Sequence, residues 1–89
     1  MNKPPIETGS VVISTAGRDQ GRTFLVVESV DEAYVLIADG STHKMEKPKK
    51  KKRKHLKLSP VLLPDAAARL AEGHVENYEV RKWLSDKEE

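Results

Sequence analysis

Three short runs of β-branched and aromatic residues, each followed by a turn signal, set the limits on what this chain can fold into. Val11-Val12-Ile13, Thr23-Phe24-Leu25-Val26-Val27 and Tyr34-Val35-Leu36-Ile37-Ala38 are each too short for a stable helix, and they suit a pleated, half-buried surface. The first two are separated by Ser14-Thr15-Ala16-Gly17-Arg18-Asp19-Gln20-Gly21-Arg22, where two glycines four apart bracket an aspartate and mark a tight loop. Asp31-Glu32 makes the next turn, and Asp39-Gly40 ends the third run. Strands are therefore expected over about 10–14, 23–27 and 34–38. His55-Leu56-Lys57-Leu58 alternates polar and apolar and reads as a fourth strand with one wet face. Val61-Leu62-Leu63 reads as a short fifth strand, held to an edge by Pro60 and Pro64.

After Pro64 the periodicity changes. Asp65-Ala66-Ala67-Ala68-Arg69-Leu70-Ala71-Glu72 is rich in helix formers, starts with an acid and stops at Gly73. Asn77 is placed to cap a second short helix, in which Val80, Trp83 and Leu84 share a face. The 89 residues give room for one domain, and a domain of this size buries only about 60% of its unfolded surface. The expected division is a flexible tail over 1–8, a β-barrel over 9–63 and a helical appendage over 64–89. The fold class is mainly β.

Charge is concentrated in one place. Residues 44–57 hold nine basic side chains and one acid, a net +8, whereas residues 1–43 and 64–89 each carry a net −3. Lys47-Pro48-Lys49-Lys50-Lys51-Lys52-Arg53-Lys54 contains seven positive charges in eight residues and no acid. Such a tract is expected to be solvated and mobile when free, and counterion release makes it a generic binder of phosphate backbone. Lysine acts as a point charge, so the tract contributes affinity more than sequence reading. Its composition also fits a nuclear-import signal. Its position between two expected strands argues against that reading.

Several chemistries are excluded or unsupported. The chain has no cysteine, which removes disulfides, thiolate metal sites and a cysteine nucleophile. Ser10, Ser14, Ser29 and Ser59 have no evident base partner, and His43, His55 and His74 lie scattered without metal-ligand spacing. No enzyme activity, cofactor or metal is expected. The N-terminus lacks the apolar segment of a secretory signal, and no apolar run approaches the roughly 20 residues that cross a bilayer. The chain reads as cytoplasmic, away from membranes, and a monomer by default.

The stretch from Gly9 to Val27, strand, glycine-bracketed basic loop, strand, resembles the KOW motif of ribosomal large-subunit proteins and some transcription elongation factors. The loop of that motif reads Gly, basic, polar, polar, Gly, basic, as Gly17 to Arg22 does here. Many KOW motifs carry a further glycine where this chain has Phe24 and Leu25, but a subgroup typical of archaeal and eukaryotic ribosomes has an apolar run there. Ile37-Ala38-Asp39-Gly40 and Arg53-Lys54-His55-Leu56 are similar to later features of that subgroup. The resemblance implies a five-stranded SH3-like β-barrel over 9–63, one or two short C-terminal helices outside the motif, and a loop that contacts RNA or a protein.

Together these readings nominate an RNA-binding surface. Gly17 and Gly21 let the loop backbone approach a phosphate, Arg18 and Arg22 can grip or stack, and Gln20 completes the loop. Lys44, Lys47, Lys49, Lys50, Lys51, Lys52, Arg53, Lys54 and Lys57 supply the charge. His43 and His55 flank the tract and are either RNA contacts or ordinary exposed histidines. Asp19 is expected to shape the turn, Phe24 and Tyr34 to be core or half-core, and Trp83 to pack its helix on the barrel or dock a partner. The function expected is non-catalytic binding of structured, ribosomal RNA on or near the ribosome. The alternative is a protein-interaction module of KOW type that docks on RNA polymerase or a ribosome-assembly factor, with the acidic helices as its surface.

Overall fold

The computed structural model describes residues 6–59, 63, 65–73 and 75–86. The chain runs through strands β1 (Val11–Ser14), β2 (Thr23–Ser29), β3 (Tyr34–Ala38) and β4 (Lys49–Lys52), then a 3-10 turn (Arg53–His55), β5 (Leu56–Leu58), and helices α1 (Ala66–Glu72) and α2 (Asn77–Asp86). The five strands form one antiparallel sheet in the order β4-β3-β2-β1-β5. A small SH3-like barrel followed by two short helices is the result, as the sequence implied. Among the described residues, no helix is long and apolar enough to cross a membrane.

Strand alternation divides the apolar residues between two cores. Val12, Phe24, Val26, Val35, Ile37 and Leu56 point into the barrel, with Ile6 and Leu58 packed against them. Val11 and Leu25, their neighbours in sequence, point outward and meet Ala66, Val80 and Leu84 of the helices. Half-buried Trp83 joins this second cluster. The outer cover explains why the runs in β1 and β2 are apolar without interruption: both faces of these strands are buried. Each large aliphatic side chain buried this way contributes about 1.5–3 kcal/mol relative to exposure.

Two sequence expectations shift. The strand expected over 55–58 is the shorter β5, because Arg53–His55 forms the 3-10 turn that carries the chain round the barrel corner. The strand that sequence did not propose is β4, made of four consecutive lysines that pair with β3 from Tyr34↔Lys52 to Ile37↔Lys49. The core of the lysine tract is therefore an ordered strand in the sheet. Residues 61 and 62 of the proposed fifth strand lie outside the described residues, as do residues 1–5 of the proposed tail and His74.

α1 lies where composition placed it, and α2 starts at the residue expected to cap it. α1 stops at Gly73, whose N–H donates to the Leu70 carbonyl. Asn77 opens α2 but its side chain does not cap the helix: Oδ1 accepts from the Met45 N–H at 2.7 Å and Nδ2 donates to Glu46 Oε1. The helix start is satisfied instead by Glu79, whose Oε1 accepts the Glu76 N–H at 3.0 Å. Asn77 thus ties α2 to the β3–β4 connection.

Candidate nucleic-acid interface

The loop between β1 and β2 is held by its own backbone. The Gly21 N–H donates to the Ser14 carbonyl and the Ser14 N–H to the Arg22 carbonyl, which extends the β1–β2 ladder into the loop. Gly17 and Gly21 both have positive φ, 78° and 88°, a conformation costly for any residue with a Cβ. The Thr15 N–H donates to the His55 carbonyl, fastening the loop to the 3-10 turn.

β4 lies directly beside this loop. Strand alternation sends Lys49 and Lys51 to one face and Lys50 and Lys52 to the other. On the first face, Lys49 Nζ donates to Asp19 Oδ2 at 3.1 Å and Lys51 Nζ to the Ala16 carbonyl at 3.3 Å. On the second, Lys50 Nζ sits over the Tyr34 ring, 4.6 Å from its centroid, a cation–π contact. Two lysines thus clasp the loop, and the other two face solvent.

Asp19 is the centre of the clasp. Its side chain is only 8% exposed, and besides Lys49 it faces His43 Nε2 at 3.5 Å and Arg22 Nη1 at 3.8 Å. Burial pushes its carboxyl upward, but the hydrogen bond and charge of Lys49, followed by His43, outweigh that and hold it below the usual carboxylate range. The loop sequence by itself gives Asp19 only a turn-shaping part. Its partners lie 24 and 30 positions away in sequence, so no local pattern could reveal them.

The nominated residues therefore sort into two sets. Arg18, Lys47, Lys52, Lys54 and Lys57 are exposed and make no side-chain bond to another described residue. Gln20, Lys44 and Lys50 are also exposed. Arg53, in contrast, is half-buried and donates to the Asp31 and Ile6 carbonyls and to Ser29 Oγ, so it braces the β2–β3 turn and the N-terminal segment. His43 is not an ordinary exposed histidine: its side chain is 20% exposed and its ring packs at 5.7 Å on Phe24. His55 is half-buried in the 3-10 turn.

Arg22 also has a structural assignment. Its Nη2 donates to Asp39 Oδ2 at 2.9 Å and Thr42 Oγ1 at 3.1 Å, and its guanidinium lies 5.8 Å from the Phe24 ring centroid. Asp39 Oδ1 in turn accepts the N–H groups of Ser41 and His43. Of the two loop arginines, Arg18 is left at the exposed tip, and Arg22 links the loop to the turn after β3.

Comparison with known proteins gives an informative likeness. The chain is 36% identical over 53 residues to the large ribosomal subunit protein eL14 of Desulfurococcus amylolyticus, covering 60% of this chain and 55% of the relative. The chain thus spans about half the length of the curated relative it matches. No family model matches it. The likeness bears out the resemblance to ribosomal large-subunit proteins of KOW type seen in the sequence.

Proposed function

We propose that the chain is a non-catalytic RNA-binding protein of the large ribosomal subunit, cytoplasmic with the ribosome, and that it binds structured ribosomal RNA through the β1–β2 loop and the outer face of β4. Similarity to a ribosomal large-subunit protein supports the class of function. The observation that carries the reading is the clasp of Lys49 and Lys51 on Asp19 and Ala16, which sets the Gly17–Gly21 loop beside the lysine strand. The clasp orders loop and strand before any RNA arrives, in place of a floppy charged segment that would lose entropy on binding.

The exposed members, Arg18, Lys44, Lys47, Lys50, Lys52, Lys54 and Lys57, supply the phosphate contacts. If they neutralise about six phosphates, the slope of log affinity against log salt lies near −4 to −5, at about 0.7–0.9 per phosphate. Contacts of this kind position the protein by the shape of the RNA backbone, with little reading of base identity.

The test joins binding and sedimentation. Affinity for a large-subunit RNA fragment is expected to collapse between about 50 and about 300 mM salt. The protein is expected to travel with large subunits in a sucrose gradient until nuclease releases it. Retention of a specific protein partner at the higher salt, with no RNA affinity at the lower, would replace this reading with a protein-docking one.

A further inference from the structure

The surface just proposed leaves the C-terminal helix without a part, yet a cleft of about 430 Å³ joins that helix to the start of β2. Arg22, Thr23 and Asp39 line it from the barrel, and Arg81, Leu84 and Ser85 line it from α2. The two guanidiniums are held by separate anchors. Arg22 Nη2 donates to Asp39 and Thr42, and Arg81 Nη1 donates to the Gly40 carbonyl. Each arginine keeps N–H groups with no hydrogen bond among the described residues, since a guanidinium carries five donors in a rigid fork.

The charge of the cleft is favourable to an anion. The lining holds two arginines and one carboxylate, a net +1, and Asp19 lies just outside it, 3.8 Å from Arg22 Nη1. That carboxylate, Asp39, already accepts from the Ser41 and His43 backbones and from Arg22, so its oxygens are occupied inside the protein. Thr23 and Ser85 of the same lining carry hydroxyls, which can donate to an anion.

We propose that this cleft is a second phosphate-binding site, in which Arg22 and Arg81 together hold one backbone phosphate of the bound RNA, so that α2 is part of the RNA-binding surface. The inference rests on the RNA-binding reading above. It gives Arg22 a ligand separate from that of Arg18 at the loop tip. It also gives the appendage a function besides covering the outer face of the barrel.

The experiment measures affinity and salt slope of the full chain for an A-form RNA hairpin. Arg81→Gln is expected to weaken binding roughly tenfold, the usual worth of a hydrogen bond to a charged group. Arg81→Lys, which keeps the charge, is expected to recover most of that loss. Lys82→Gln removes the same charge one residue along α2 and is expected to change binding far less. Ser85→Glu puts a carboxylate at the cleft, one helical turn from Arg81, and leaves the Arg81 side chain in place; it is expected to weaken binding as Arg81→Gln does even if the latter loosens the helix. Equal losses for Arg81→Gln and Lys82→Gln, or no loss for Ser85→Glu, would overturn the site. Arg18→Gln and Lys52→Gln run alongside: if they weaken binding and the cleft variants do not, the RNA surface stands and the cleft falls; if none weakens it, the RNA reading itself fails.

Discussion

Asp19 shows how one side chain organises a basic surface. A carboxylate buried among a lysine, a histidine and an arginine offsets the mutual repulsion of cations that would otherwise hold the loop and β4 apart. Asp19→Asn keeps the shape and removes the charge, and it is expected to cost about 1–3 kcal/mol of stability in urea melts. Because folding lowers the Asp19 pKa, the stabilisation is present above the unfolded value of about 4 and is lost as pH falls through the folded value. The acid limb of a plot of melting temperature against pH should therefore be shallower in Asp19→Asn than in the parent. An unchanged acid limb would show that the carboxylate's charge is not what closes the clasp.

β4 separates two tasks that the sequence presents as one run of lysines. Pairing with β3 and alternation along the strand assign Lys49 and Lys51 to the clasp and Lys50 and Lys52 to solvent. The pair Lys49→Gln, Lys51→Gln is expected to lower the melting temperature with a small effect on the salt slope of RNA binding. The pair Lys50→Gln, Lys52→Gln is expected to leave melting nearly unchanged and to make the slope shallower by about 1.4–1.8, two phosphates at about 0.7–0.9 each. Equivalent behaviour of the two pairs would mean that the face of the strand does not matter. Four lysines on an edge strand serve a third purpose, since charge along an edge discourages pairing with another sheet.

Gly40 is the joint between the barrel and α2. It has φ of 77°, and a Cβ there would lie 2.3 Å from the Asn77 carbonyl oxygen. Gly40→Ala is expected to cost at least about 1 kcal/mol from the backbone alone and more from the clash with α2. Its signature is faster hydrogen exchange in α2 and a red shift of Trp83 fluorescence, with the β1–β2 ladder retained.

The molecule as a whole folds around a sheet whose β1 and β2 are buried on both faces. Val11 and Leu25 are fully covered, and their cover comes from Ala66, Val80 and Leu84 of the helices. Truncation before α1 is therefore expected to expose an apolar strip and to abolish a sharp thermal transition, with dye binding typical of exposed hydrophobic surface. A cooperative transition in the truncated chain would show that the barrel core around Phe24 suffices alone. The uneven charge distribution belongs to this level too. A net +8 segment flanked by net −3 segments lets the basic surface attract a polyanion while the rest of the molecule resists wholesale adhesion.

Local pattern alone determined β1, β2, β3, the two helices and the glycine-hinged loop, because each is written in the spacing, turn chemistry or helix propensity of a few adjacent residues. Tyr34–Ala38 matches its expected strand residue for residue. β4 was illegible for the opposite reason: four lysines have poor strand propensity, and what makes them a strand is the ladder offered by β3 and the partners waiting on the loop. The same contacts, between residues 30 or more positions apart, divide the candidate site into cations that hold the fold and cations left for a ligand. Composition shows that the charge is there; only packing across such distances determines which of it is free to act.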